Sequence, residues 1–164
     1  MHTVKLFENG AAANASSRSQ PGRSHRILVA DDELTMQELY AAILTPFGYQ
    51  VDAAKDGAAA WEALCANNYD LLITDNSMPK VSGMELLEKL RAASMTLPAI
   101  MVSGTLPLEN PSLKISAALL KPVSPDALLA NVKEVLRAAS NHVRAQAGSQ
   151  SVPAEAVRPI ESPQ

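Results

Sequence analysis

Five short apolar runs, with helical or turn-forming segments between them, constrain this chain more than any other feature of its sequence. They read "RILVAD" from Arg26, "YQVDAA" from Tyr49, "YDLLITD" from Tyr69, "LPAIMVS" from Leu97 and "SAALLK" from Ser116. Each has the length of a strand, and none shows the strict polar alternation of a sheet with one wet face. Between and after them the apolar period becomes helical. In "ELTMQELYAAILTPFG", Leu39, Tyr40, Ile43, Leu44 and Phe47 mark one face, Pro46 loosens the last turn and Gly48 caps it. "DGAAAWEALCANN" turns Trp61, Leu64 and Cys65 inward, and "GMELLEKLRAA" is a third helix. The closing helix, "SPDALLANVKEVLRAA", takes Ser124 as N-cap and Pro125 as its first residue. It gathers Leu128, Leu129, Val132, Val135 and Leu136 on one side. Only "GTLPLENPSLKIS", between the fourth and fifth strands, breaks the pattern. It is short and carries Pro107 and Pro111, so the fourth helix of the repeat is expected to be short or absent.

Such repetition predicts an α/β fold: a doubly wound, five-stranded parallel sheet covered on both faces and joined by right-handed crossovers. In sheets of this kind ligands bind outside the carboxyl ends of the strands. Here those ends carry Asp31, Asp32, Asp75, Ser103 and Lys121.

A chain of 164 residues can hold one domain with a sizeable core, but not two ordinary domains with tails. The repeat occupies residues 26–140. Residues 1–25 are rich in Gly, Ser, Ala and Asn, and residues 141–164 are polar and proline-bearing. They are expected to form a disordered N-terminal arm and a disordered C-terminal tail. Residues 26–140 hold nine Lys/Arg against fourteen Asp/Glu, a net charge of −5. An acidic domain without a basic stripe argues against direct nucleic-acid binding. Runs such as "AIMV" fall far short of a membrane span, and the first residues lack a secretory signal, so a soluble, cytoplasmic protein is expected. Cys65, the single cysteine, reads as a small core residue, and Trp61, Met84 and Met101 read as packing.

Three carboxylates at neighbouring strand ends repel one another. A bound cation removes that cost. Mg2+ suits the set because it takes oxygen ligands, keeps waters, and joins one or two carboxylates to a phosphate oxygen. The same residues can then perform phosphate chemistry. Asp75 can attack phosphorus to form an aspartyl phosphate, Lys121 can hold an oxygen of the transferred group, and Ser103 can donate a hydrogen bond to another. Singly, each has a plainer reading: "ADDE" as a helix start, Asp75 as a turn former before Pro79, Ser103 as uninformative, Lys121 as a solvated strand end. Their recurrence at successive strand ends favours the chemical reading. A nucleotide-binding loop would need glycines where "VADDELT" supplies acid. A phosphohydrolase with an aspartate nucleophile would place a second aspartate where Ser77 stands.

On these residues the chain resembles the receiver domain of bacterial two-component response regulators, over residues 26–140. The motifs that carry the resemblance are "ILVADDE", "YDLLITDNSMPKVSG", "AIMVSGT" and "LLKPVSPDALL". The resemblance implies a flavodoxin-like sheet of order 2-1-3-4-5. It implies Asp75 as phospho-acceptor, and Mg2+ held by Asp31, Asp32, Asp75 and the Ser77 backbone carbonyl. Ser103 takes the place of the switch hydroxyl and Lys121 that of the family's lysine. A histidine kinase or His-phosphotransfer protein would supply the phosphoryl group, and a downstream protein of unknown identity would read the result. On this reading the chain is a stand-alone phosphorelay component and not a turnover enzyme. It departs from the family pattern at Ala118, where a tyrosine or phenylalanine is usual. Signalling by aromatic rotation cannot run through a methyl group, and the alternative is a pseudo-receiver that binds partners without phosphorylation.

Overall fold

A computed structural model describes residues 24–105 and 111–148. Strand β1 (Arg26–Ala30) leads through α1 (Leu34–Leu44) and a 3-10 turn (Thr45–Phe47) to β2 (Gln50–Ala54). Then come α2 (Gly57–Ala66), β3 (Leu71–Asp75), α3 (Gly83–Ala92) and β4 (Ala99–Ser103). A second 3-10 turn (Pro111–Leu113), β5 (Ala117–Leu120) and α4 (Pro125–Gly148) follow. The strands form one sheet in the order β2-β1-β3-β4-β5, and every neighbouring pair is parallel. The expected class and strand order are therefore those of the molecule. The chain steps outward from β1 to β2 and then in the opposite direction to β3, so the switch point lies between β1 and β3.

Both central strands β3 and β4 are buried along their whole length, which is why they read as unbroken apolar runs. Alternation along the strands divides their side chains between two cores. Ile27, Val29, Leu71, Ile73, Ile100 and Val102 pack with Tyr40 and Leu44 of α1 and with Leu128, Val132, Val135 and Leu136 of α4. Leu28, Ala30, Leu72, Ala99 and Met101 pack with Ala60 and Leu64 of α2 and with Leu86, Leu87 and Leu90 of α3.

Local chemistry sets the element ends. Pro46 turns the last part of the first helix into 3-10 geometry, and Gly48 closes it at φ 87°, a left-handed conformation that glycine adopts without strain. Asp56 caps α2 by accepting the Ala59 N–H at 2.8 Å. Ser82 and Glu85 form a reciprocal capping box at the start of α3. Ser124 caps α4 by accepting the Ala127 N–H at 3.2 Å.

Some expected faces are turned. The inward side of α1 carries Gln37, Tyr40 and Leu44, so Leu39, one position past the stripe, is exposed. Phe47 lies beyond the helical geometry that Pro46 interrupts and is also exposed, with the Lys133 ammonium 4.9 Å from its ring centre. On α2, Ala60 and Leu64 face the core, and Cys65, one step of the helix further round, is exposed rather than buried. Trp61 and Met84 are partly buried against the core and Met101 is fully inside it. The last helix does not end at Ser140 but runs on to Gly148. The expectations for residues 1–23 and 149–164 lie outside the described residues.

Between β4 and β5 the described residues contain only the 3-10 turn at Pro111–Leu113, in keeping with a short or absent helix there. Arg91 of α3 holds this connection. Its guanidinium donates to the carbonyls of Leu113 (2.8 Å), Met95 (2.8 Å), Leu97 (3.1 Å) and Lys114 (3.3 Å). A regular helix satisfies its own carbonyls; here an arginine from the neighbouring helix does so.

Candidate functional site

The β1–β3 pairing ends with Ala30 opposite Thr74, so the next residue of each strand, Asp31 and Asp75, emerges at the same rim of the sheet. Asp32 follows Asp31 and is exposed, whereas Asp31 and Asp75 are 1% and 6% exposed. One carboxylate oxygen from each of Asp31, Asp32 and Asp75 lies within 4.8 Å of the others. Among the described residues this is the one such group of acidic, histidine or cysteine side chains.

Lys121, one residue past β5, completes the cluster. Its Nζ stands 3.2 Å from Asp31 Oδ2 and 3.5 Å from Asp75 Oδ1. Burial pulls the lysine's pKa down, but the charges of Asp31 and Asp75 and the hydrogen bonds to them outweigh it and hold it above the ordinary 10.5. The Lys121 N–H donates to the Ser103 carbonyl at 2.9 Å, which ties the end of β5 to the end of β4, and the Lys121–Pro122 peptide is cis. Ser103 is 1% exposed, and its Oγ accepts the Thr105 N–H at 3.4 Å. All five strand-end residues thus meet at one rim.

The loops around the acids are held by groups that sequence reasoning missed. Asp31 Oδ1 accepts the Glu33 N–H at 2.9 Å, and Gln37, buried on α1, donates to the Asp31 carbonyl at 2.6 Å. That carbonyl and the Ala54 carbonyl, 3.4 Å from the same amide, bind the β1 loop to the end of β2. Past Asp75, Asn76 accepts the Gly83 N–H through its carbonyl (3.1 Å) and the Met84 N–H through its side chain (3.2 Å). Gly83 has to be glycine: a Cβ there would stand 2.3 Å from the Asp75 carbonyl oxygen. Ser77 lies in this β3–α3 loop and is exposed. Lys80, at φ 66°, reaches from the same loop to Asp56 at 2.6 Å. That hydrogen bond, followed by the one from Ala59, holds the Asp56 carboxyl below its ordinary 3.8. A buried glutamine or a loop lysine carries no local signal of such contacts, because both depend on how loops meet.

A broad groove lies elsewhere, near the opposite ends of the strands. It has a volume of about 1520 Å3 and is lined by residues such as Tyr69, Arg91, Pro98 and His142. It contains none of the acids just described. The chemistry belongs to the acidic rim, whose donors fit a hard divalent cation: carboxylate oxygens only, two of them buried, with a lysine ammonium supplying positive charge. Among the described residues no helix is long and apolar enough to cross a membrane.

Comparison with known proteins agrees with this geometry. Residues 27–133 match the family model of the response regulator receiver domain. The chain is 39% identical over 97 residues to the sensor protein EvgS of Escherichia coli O157:H7, covering 58% of this chain and 8% of EvgS. It is 32% identical over 112 residues to the transcriptional regulatory protein DltR of Streptococcus agalactiae, 66% of this chain and 50% of DltR. The chain thus spans half or less of these relatives. A CheY-like receiver domain protein of Methanospirillum hungatei superposes with a TM-score of 0.69 at 30% identity, over 73% of this chain and 99% of that one. The response regulator TrrA of Thermotoga maritima, solved with Mg(2+)-BeF, gives 0.63 at 31% identity over 68% and 98%. An acidic rim at the switch point of a 2-1-3-4-5 sheet, on a chain matched across its core, places this protein in the response regulator receiver domain family of two-component phosphorelay signalling.

Proposed function

We propose that this chain is a phospho-acceptor in which Asp75 takes a phosphoryl group from a phosphohistidine of a histidine kinase or His-phosphotransfer protein. In that step the phosphorus–nitrogen bond breaks as a bond from an Asp75 carboxylate oxygen to phosphorus forms, and the histidine nitrogen leaves with the electron pair. The observation that carries the reading is the Lys121 ammonium bridging the Asp31 and Asp75 carboxylates within one acidic cluster. Asp31, Asp32, Asp75 and the Ser77 carbonyl would hold Mg2+, which when bound neutralises charge on the transferred group. Lys121 then moves its charge to a phosphoryl oxygen and the Ser103 hydroxyl donates to another. The presence of Mg(2+)-BeF in TrrA supports the same assignment. One phosphoryl group is taken per chain, so the protein is a signalling component of the cytoplasm and not a turnover enzyme.

Output is by protein–protein contact. Ala118 is exposed on β5, and a methyl group cannot report by rotating inward, so the changed surface must be read near the site itself. That same residue, together with the reduced β4–β5 connection, favours a second reading: a binding module whose acid cluster does not accept phosphate. Intact-mass spectrometry after incubation with acetyl phosphate separates the two. A single Mg2+-dependent phosphoryl adduct, lost in Asp75→Ala, is expected. A folded wild type that takes up no phosphate from any donor would refute the first reading.

A further inference from the structure

Among the described residues, one buried side-chain polar atom lacks a hydrogen bond to any other protein atom: the hydroxyl of Tyr40. Tyr40 is 2% exposed and lies in the second turn of α1, one turn beyond Gln37, whose amide holds the Asp31 carbonyl. The helix returns antiparallel to β1, so its N-terminus stands at the rim that carries the acids. Long side chains on a helix lean toward its N-terminus, which sends this phenol toward that rim. Its cluster neighbours Val29 and Ile73 each precede an acid by two residues, and the strand period puts Asp31 and Asp75 on the same face of the sheet as Tyr40. The electrostatics agree. The phenol is pushed above its ordinary pKa first by burial and then by the negative charges of Asp31, Asp75 and Glu33.

A buried hydroxyl without a partner costs stability that phenylalanine, of the same shape, would avoid. The tyrosine therefore asks for a state in which its hydroxyl is used. Asp31 Oδ1 is taken by the Glu33 N–H, and Asp31 Oδ2 and Asp75 Oδ1 by Lys121. With Mg2+ held by the cluster, Lys121 would be released from that duty and the carboxylates would be free to turn. We propose that Tyr40 is a positioning residue of the phospho-acceptor site, whose hydroxyl donates to the Asp31–Asp75 carboxylate pair once a metal ion replaces Lys121 there. The inference rests on reading the cluster as a Mg2+-dependent phospho-acceptor. The hydroxyl stays protonated and is not itself a ligand.

The test is calorimetric titration of Mg2+ into the wild-type chain and Tyr40→Phe, with thermal melts of both in metal-free buffer. Tyr40→Phe is expected to bind Mg2+ about tenfold more weakly, the order expected for losing one hydrogen bond to a charged group. Its metal-free melting temperature should be no lower than that of wild type, a combination that a merely structural tyrosine does not give. Equal Mg2+ affinity in both proteins overturns the proposal and leaves the phospho-acceptor reading standing. No Mg2+ binding by wild type removes that reading and the proposal with it. If Tyr40→Phe fails to fold, wild type labelled at the hydroxyl-bearing carbon of its three tyrosines replaces it. The Tyr69 hydroxyl already donates to Asp52, and Tyr49 immediately precedes β2, both toward the far end of the sheet, so a resonance that moves with Mg2+ supports Tyr40. No moving resonance overturns it.

Discussion

Replacing Lys121 by methionine keeps the apolar stem of the side chain and removes only the charge that holds the two buried acids together. The lysine side chain is 23% exposed, and those of Asp31 and Asp75 are 1% and 7% exposed. Removing one partner from a buried pair costs about 3–5 kcal/mol, because the other charge is left without compensation. Lys121 opens partly to solvent, so the low end applies: about 3 kcal/mol. For a domain of this size that is a fall of roughly 10 °C in melting temperature. The lysine's pKa is raised, so its contribution is complete below its unfolded value and fades only as pH climbs through the folded one, above 10.5. The deficit should therefore persist across the neutral range.

On the proposed function Mg2+ would reverse the comparison: in wild type it would have to displace Lys121 from Asp31, and in the variant it would meet carboxylates already free. An ion at ~100-fold over its Kd stabilises the folded state by about 2.7 kcal/mol, and tighter binding to the variant adds to that. Melting curves in EDTA and in saturating MgCl2 should show a wide gap between the two proteins in the first buffer and a narrow one in the second. A gap of equal size in both buffers would mean that lysine and metal do not compete for the same carboxylates. No gap in EDTA would mean that the ion pair carries no stability. Either result refutes the account of the rim given above.

Two other perturbations probe the loops that frame the site. Asp56→Asn keeps an oxygen for the Ala59 N–H but loses the charge paired with Lys80. The Asp56 carboxyl is held below 3.8, so its contribution is present above that pH and is lost as pH falls through the folded value. The urea midpoint of wild type should drop there more steeply than that of the variant; parallel profiles would refute the pairing. Gly83→Ala would set a methyl group 2.3 Å from the Asp75 carbonyl oxygen. The start of α3 must then pull away from β3, at a cost of about 3 kcal/mol in urea unfolding. A loss under ~0.5 kcal/mol, the range of a neutral surface change, would show that the contact yields freely.

The sheet and its acidic rim were legible because both depend on short-range patterns. β3 and β4 are buried on both faces, so their apolar runs need no help from neighbours to be recognised, and Asp75 marks the end of one by being charged. Helix faces were harder wherever small residues dominate. In α2 the inward side is set by Ala60 and Leu64 and by Gly57, whose missing Cβ admits the Val81 carbonyl; among so many alanines Cys65 gave no direction. Arg91 was illegible for the opposite reason. A lone arginine on a helix reads as a solvated charge, yet its donors are spent on carbonyls of the loop that follows it and of a segment distant in sequence. The continuation of α4 past Ser140 reflects residues such as Ala, Arg and Gln, which extend a helix without offering an apolar face, so a reading keyed to burial stopped too soon.

The two rims of the sheet are built on different principles. At the amino ends of β1 and β2 charges are paired. Arg26 donates to Asp52 at 2.8 Å and to Asn67 at 3.3 Å, and lies 4.8 Å from the Tyr69 ring centre, while the Tyr69 hydroxyl donates to the same Asp52. The Arg26 N–H donates to Asp70, so β1, β2 and the entry to β3 are fastened by polar groups. At the carboxyl ends Asp31 and Asp75 share Lys121 with Asp32 close by, and among the described residues one buried side-chain hydroxyl, that of Tyr40, lacks a protein partner. Two buried cores beneath the rim help to sustain that imbalance. On the proposed function, that imbalance of negative charge, held by strands fixed at their other ends, would allow a small positive ion or a transferred phosphoryl group to change the local energetics. The same charges at the balanced rim would have nothing to respond with.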